Sequence, residues 1–236
     1  MHRGFVTKCS AKSSSVKAIR HVRTSTLVCK AQSVQNPTHL KALREWSVIN
    51  ASIQDGLQTV LLRKGGIEEK GFRLEAKSFM LFPSYFHADN SLLKPGILER
   101  YEREMAFDPK TSAELHLRTY AEVTGMWITK DLQVAGAVEE IHVGMPAFLD
   151  KRLKWRRGQD LTILELRSWK LEEAVVVTVR PEYFGCFSWI DLDLQTNMIN
   201  KEAMQPSLPD ATFRVMQNNL RAQLSKLKDV KEISLN

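Results

Sequence analysis

The chain has 236 residues, 43% hydrophobic and 26% charged, ordinary proportions for one globular domain with a proper core. No run approaches the ~20 apolar residues of a membrane-spanning helix, and three cysteines are too few for a disulfide scaffold. The formal charge of +7 points to a polyanion only until its distribution is read: residues 1–30 hold seven Lys or Arg and no acid, which leaves 27 of the 34 cations to face all 27 acids.

That acid-free segment is also rich in hydroxyls, among them Thr7, Ser13, Ser14, Ser15, Thr24, Ser25 and Thr26. Basic, hydroxylated and free of acids is the composition of an organellar transit peptide. A secretory signal needs a continuous apolar core of about seven residues, and the segment has none. Residues 1–31 are therefore expected to direct the chain to the chloroplast stroma, with mitochondrial import as the alternative. Val28-Cys29-Lys30-Ala31 resembles a plastid processing site, and cleavage there leaves Cys186 as the remaining thiol.

Residues 38–200 then read as a globular domain, and 206–230 as an amphipathic helix packed on or beside it. Thr38–Arg44 reads as a short helical lead-in. Asp55-Gly56, between the apolar-bearing runs Trp46–Gln54 and Leu57–Arg63, has the pattern of a type I′ hairpin turn. Ser78–Phe82 is a third strand stopped by Pro83, and 83–95 is loop. Ile97–Phe107 carries Ile97, Leu98, Tyr101 and Met105 at helical spacing.

Leu115–Lys130 is rich in strand formers. Asp131 caps a short helix reaching Ile141, and Pro146 opens another with Phe148, Leu149 and Leu153 on its apolar side. Leu161–Trp169 and Ala174–Arg180 follow as separate strands, the β-branched run from Val175 to Val179 suiting burial on both faces. Cys186–Leu194 is one more strand. With Asp210 as cap, Ala211–Leu227 is the clearest helix, its stripe formed by Phe213, Met216, Leu220, Leu224 and Leu227. The sum is a mixed α/β (α+β) single domain: a largely antiparallel sheet flanked by helices.

Three blocks occur in order along this domain. They are Glu45-Trp46 leading to Leu61-Leu62-Arg63-Lys64-Gly65-Gly66-Ile67, then Phe79-Met80-Leu81-Phe82-Pro83-Ser84-Tyr85-Phe86-His87, and finally Gly185-Cys186-Phe187-Ser188-Trp189. On these blocks the chain resembles the family called domain of unknown function 1802, found in cyanobacteria, other bacteria and plastid-bearing eukaryotes. The resemblance spans most of 43–195 and agrees with a plastid leader. It departs at Ser84, where relatives have Thr, and at Ala88, where a Gln follows the His. It implies no reaction. Some bacterial relatives are joined to domains of restriction-endonuclease type, an association that suggests a nucleic-acid setting.

Chemistry-bearing residues concentrate in three places. In Arg63-Lys64-Gly65-Gly66, the glycines let backbone amides approach an anion while two cations neutralise a phosphate. No Walker pattern accompanies them, and Gly71 and Phe72 stand where a nucleotide-hydrolase box needs its Glu. Lys151–Arg157 packs five cations around an aromatic, so that Arg152, Lys154 and Arg156 contact phosphates while Trp155 stacks on a base. The plain alternatives are a solvated strand exit and a helix end whose cations offset the dipole.

Asp55 with Glu75-x-Lys77 formally fits a metal nuclease, in which two carboxylates hold Mg²⁺ and Lys77 positions the attacking water. Asp55 has a competing use in the turn. His87 and His142 lack a matched second pair of metal ligands and read as structural, and Cys186 reads as an inert thiol in an apolar setting. The preferred reading is a nucleic-acid- or phosphate-binding protein with neither a cofactor nor a membrane partner. The alternatives are a Mg²⁺-dependent phosphodiester hydrolase and an assembly protein that docks a partner through the 211–227 stripe.

Overall fold

The computed structural model describes residues 39–65, 71–85, 89–195 and 199–235. The segment 1–31 expected to be a leader, Gly66 and His87 lie outside these residues.

Strand β1 (His39–Trp46) stands where a helical lead-in was expected. Its pairing on both edges decides this, parallel to β3 (Ser78–Ser84) and antiparallel to β6 (Trp189–Gln195), and such pairing overrides a weak local helix signal. Helix α1 (Ser47–Gln54) replaces the first arm of the expected hairpin. The four-residue spacings Val48/Ser52 and Ile49/Ile53 place all four side chains in the interior, and a period near four belongs to a helix.

Asp55-Gly56 therefore ends a helix. The Gly56 N–H donates to Ile53 O at 3.1 Å and the Leu57 N–H to Ser52 O at 2.9 Å, the two bonds of a Schellman motif. Gly56 has φ +73°, and a Cβ there would stand 2.6 Å from Ser207 O, so both backbone and space require glycine. The same dipeptide serves a tight turn or a helix end because both need a residue at positive φ.

Strand β2 (Val60–Arg63) follows, and β3 runs on through Pro83. Proline is tolerated there because β4 (Glu114–Thr129) pairs with β3 only at residues 78–80, so no ladder on that side needs the missing N–H. The helix expected over Ile97–Phe107 is broken at Tyr101 into α2 (Ile97–Arg100) and α3 (Glu102–Ala106). Helix α4 (Val134–Val138) passes into a 3₁₀ turn at Glu139–Ile141, and α5 (Pro146–Lys154) opens on its proline.

Strand β5 (Leu161–Thr178) is continuous where two strands were expected. Thr119 pairs with Lys170 and Leu117 with Val175, so the polar stretch around Glu172 and Glu173 is a bulge, not a break. Val175 and Val177 are buried but Val176 is 45% exposed, so this end has one wet face and not two buried ones. The strand expected from Cys186 begins at Trp189, and Cys186 is exposed, not set among apolar groups. Short β7 (Met204–Pro206) pairs with β5. Helix α6 (Asp210–Leu224) starts from Pro209, because the Asp210 carboxylate is held by Arg167 at 2.6 Å and caps nothing. Strand β8 (Val230–Glu232) pairs with β4.

Among the described residues the strands form one eight-stranded sheet in the order β2-β5-β4-β3-β1-β6, with β7 and β8 off that path. All pairs are antiparallel except β1 with β3. Alternation along β3 divides the core. Phe79 and Leu81 face a layer built by α1, α4, α5 and α6, while Met80 and Phe82 face a second cluster with Leu117, Tyr183 and Leu192. In α6, Phe213, Leu220 and Leu224 are buried, with Met216 and Leu227 packed against the helical-side core. No described helix is long and apolar enough to cross a membrane.

Candidate functional site

The sheet curls enough for strands four places apart to meet. Arg63, the last residue of β2, donates from Nη1 to the backbone oxygen of Arg44 at 3.0 Å and to Glu45 Oε2 at 2.8 Å, both at the end of β1. Its Nη2 donates to Ser188 Oγ at 3.1 Å, just ahead of β6, and its guanidinium lies 5.6 Å from the centre of the Phe72 ring. The Ser47 hydroxyl donates to Ser84 O at the end of β3. Residues up to 125 positions apart in the chain thus meet around Arg63, beside the carboxylate of Glu45.

Glu45 is 4% exposed. Burial alone would raise its pKa, but Arg63, Arg152 and the Trp46 N–H outweigh that penalty and hold it below the usual carboxylate range. Arg152 of α5 lies 3.6 Å from Glu45 Oε1 and 5.2 Å over the Trp46 ring, and its Nε is buried without an acceptor. Arg44 donates from Nη1 to Gly185 O and lies over the Phe187 ring, while its own Nε is also buried and unmatched. Two guanidinium groups, those of Arg63 and Arg152, therefore share the single carboxylate of Glu45. His142 closes the cluster: its Nδ1 accepts from the Gly144 N–H at 2.8 Å and its ring lies 5.2 Å from Phe148. Burial pushes its pKa down to about 3, so the imidazole is neutral at physiological pH.

Lys64 lies in the interior and donates from Nζ to Leu153 O at 2.5 Å and Trp155 O at 2.7 Å, satisfying carbonyls at the end of α5. Burial lowers its pKa, Asp160 opposing. Gly65 has φ +79° and turns the chain away from β2. A cleft of about 330 Å³ opens beside this lysine. Lys64, Lys130, Lys154 and Arg157 line it, over a floor that includes Leu132, Leu153 and Leu161. Lys154 also pairs with Asp150 at 2.5 Å and Lys130 with Asp160 at 3.5 Å, both solvent-facing pairs that exchange readily. Across the α5 end lies a second cleft of about 250 Å³, whose wall includes Trp46, Phe148, Arg152 and Trp155. Arg156, between Trp155 and Arg157, adopts φ +48°, a conformation uncommon outside glycine, with its guanidinium 5.1 Å from the Trp155 ring.

The residues singled out in the sequence thus divide. Arg63, Lys64, Gly65, Arg152, Lys154, Trp155 and Arg156 gather around the end of α5, but Arg63 and Arg152 spend their charge on Glu45, and Lys64 on carbonyls. Asp55 and Glu75 hold other partners. Asp55 accepts from Arg100 and from the Tyr101 hydroxyl, both at 2.9 Å, whereas Glu75 accepts from Lys41 at 2.8 Å. Lys77 is exposed. Among the described residues, no three His, Cys, Asp or Glu side chains gather to hold a metal ion. Glu45, Arg44 and Ser188 were not read as site residues. For Glu45 and Ser188 the signal was their place in the three ordered blocks, which marks a meeting point that residue chemistry alone did not reveal; Arg44 lies just outside them.

The family whose model matches the chain is described as domain of unknown function (DUF1802), over residues 42–219. Neither the curated proteins nor the solved structures yield a match.

Proposed function

The chain belongs to the DUF1802 family, and on that footing we propose that it binds a phosphate-bearing ligand, nucleic acid foremost, in the cationic cleft beside the end of α5. The observation that carries this reading is the grouping of Lys64, Lys130, Lys154 and Arg157 around one concave space of about 330 Å³. The last three sit on exposed or half-exposed segments, where a phosphate gains charge-assisted hydrogen bonds without stripping a buried ion pair. Lys64 shapes the wall. Lys154, Arg157 and Lys130 contact the ligand.

Phosphate contacts release counterions, so binding must weaken with salt. The full chain should lose affinity for labelled DNA and RNA by orders of magnitude between about 50 and 200 mM salt, as followed by fluorescence anisotropy with and without Mg²⁺. Joint replacement Lys154→Glu and Arg157→Glu should weaken binding at low salt and flatten the log–log salt slope by about 1–2. The basic leader is common to both proteins and cancels in that comparison. Unchanged affinity and slope would remove this cleft from consideration. Mg²⁺-dependent loss of the labelled strand would argue for hydrolysis in place of simple binding.

The location we propose is the chloroplast stroma, on the acid-free, hydroxyl-rich composition of residues 1–30. A fluorescent reporter fused behind residues 1–36 should enter plastids; accumulation in mitochondria or cytosol would count against it.

A further inference from the structure

We infer that the aromatic cleft between the end of β1 and α5 takes the base of an unpaired nucleotide; this rests on the phosphate-binding reading above and names the ligand class. The cleft measures about 250 Å³, the scale of a nucleoside, and its wall is Trp46, Leu92, Phe148, Lys151, Arg152 and Trp155. Two indoles, a phenyl ring and two cations in one small concavity match a planar, polarisable group carrying negative charge. Aromatic faces accept any base, and guanidinium planes stack on bases as well.

Trp155 is the residue left open for this. It is 41% exposed, although a large aromatic gains from burial, and it stands at the end of a helix where the following residue is held at positive φ. Its position is set by the backbone: Lys64 grips the Trp155 carbonyl oxygen at 2.7 Å from inside the fold. The indole is thereby held with much of its surface open, the Arg156 guanidinium lying 5.1 Å from its ring.

Charge selects a nucleotide over an uncharged aromatic. Arg63 and Arg152 face one carboxylate, Glu45, and the Nε of Arg152, a wall residue, is buried without an acceptor. The exposed Lys151 stands at the same cleft. Surplus positive charge in a partly desolvated wall attracts an anion more strongly than the same charge in water. The two clefts are also adjacent, because Lys154, which lines the cationic one, is the neighbour in the chain of Trp155, which lines the aromatic one. A base stacked inside a duplex cannot enter a cleft of this size; an unpaired one can.

A free nucleotide and an unpaired base within a strand share this chemistry, and the test separates them. The full chain is titrated into a labelled short single-stranded RNA and into the same sequence as a duplex, with AMP and UMP as competitors. The single strand should bind more tightly than the duplex. Trp155→Ala should weaken single-strand binding by ~5- to 100-fold with an unaltered salt slope, and Trp155→Phe should restore most of it. Competition by AMP or UMP identifies the free nucleotide as sufficient; its absence, together with the Trp155→Ala loss, identifies a base held within a strand. Equal affinity of Trp155→Ala and the parent chain, or equal binding of duplex and single strand, overturns the inference. If Lys154→Glu with Arg157→Glu still abolishes binding in that case, the phosphate reading stands without the stacked base. If it does not, both fall.

Discussion

Replacing Glu45 by Gln should destabilise the fold by about 3–5 kcal/mol, the range for removing one partner from a buried ion pair. The carboxylate is 4% exposed and is the acceptor for Arg63 at 2.8 Å, with Arg152 at 3.6 Å. A neutral amide of the same shape leaves the Arg63 and Arg152 guanidinium groups with no counter-charge, the second already carrying an unmatched buried Nε. For a domain of this size, the melting temperature should fall by ~6–20 °C. The companion change Arg63→Met should cost less in the Glu45→Gln background than in the parent chain, because the charge it removes has by then lost its partner. A melting temperature within about 2 °C of the parent's, measured by circular dichroism, would mean that Glu45 is not the counter-charge.

Acid should destabilise the protein from about pH 6.5 downward, well before its carboxylates titrate. His142 is 4% exposed and buried with a pKa of about 3, against an unfolded value near 6.5. Between those values the unfolded chain binds a proton that the folded chain refuses, so stability rises with pH and falls as acid is added. The slope is about 1 kcal/mol per pH unit, present only below ~6.5 and absent above it. Burial is the main cause, Glu45 opposing it and Arg152 and Lys94 adding to it. Glu45 acts in the same direction at lower pH: its depressed pKa makes its contribution full above the unfolded carboxylate value and lost as pH falls through the folded one. His142→Asn keeps an acceptor for the Gly144 N–H and removes the titration. Its denaturant midpoint should therefore be nearly flat from pH 7 to 5, where the parent's declines. A parent midpoint independent of pH over that span would rule out a buried neutral imidazole.

Much of the fold was legible along the chain, and the failures have physical causes. The α6 stripe, the β4 run and the proline opening α5 were readable because each depends on residues within one or two turns of chain. Asp55-Gly56 misled because a positive-φ glycine serves a hairpin or a helix end equally, and the four-residue spacing of Val48, Ile49, Ser52 and Ile53 carried the deciding signal. The gap in β5 misled because a bulge and a turn both expose a polar pair such as Glu172-Glu173. Site residues were legible as types and not as states. Arg63 and Lys64 are cations in the sequence, but only folding commits one to Glu45 and the other to the carbonyls of α5.

By itself the sequence determined the family, through three ordered blocks, and the class of a mixed domain with a largely antiparallel sheet. It also located the charge, acid-free at the front and balanced thereafter. These properties are set by composition, by periodicity and by the order of motifs, each of which survives without a third dimension. Only the tertiary structure decided that the ends of β1 and β2 meet, that Glu45 is the common counter-charge of Arg63 and Arg152, and that α5 stands between a cationic cleft and an aromatic one. Those are facts of burial and distance between residues up to 141 positions apart. In this protein the energy of a charge depends on them far more than on the residue's name, since one guanidinium in water and another shut beside a carboxylate differ by several kcal/mol.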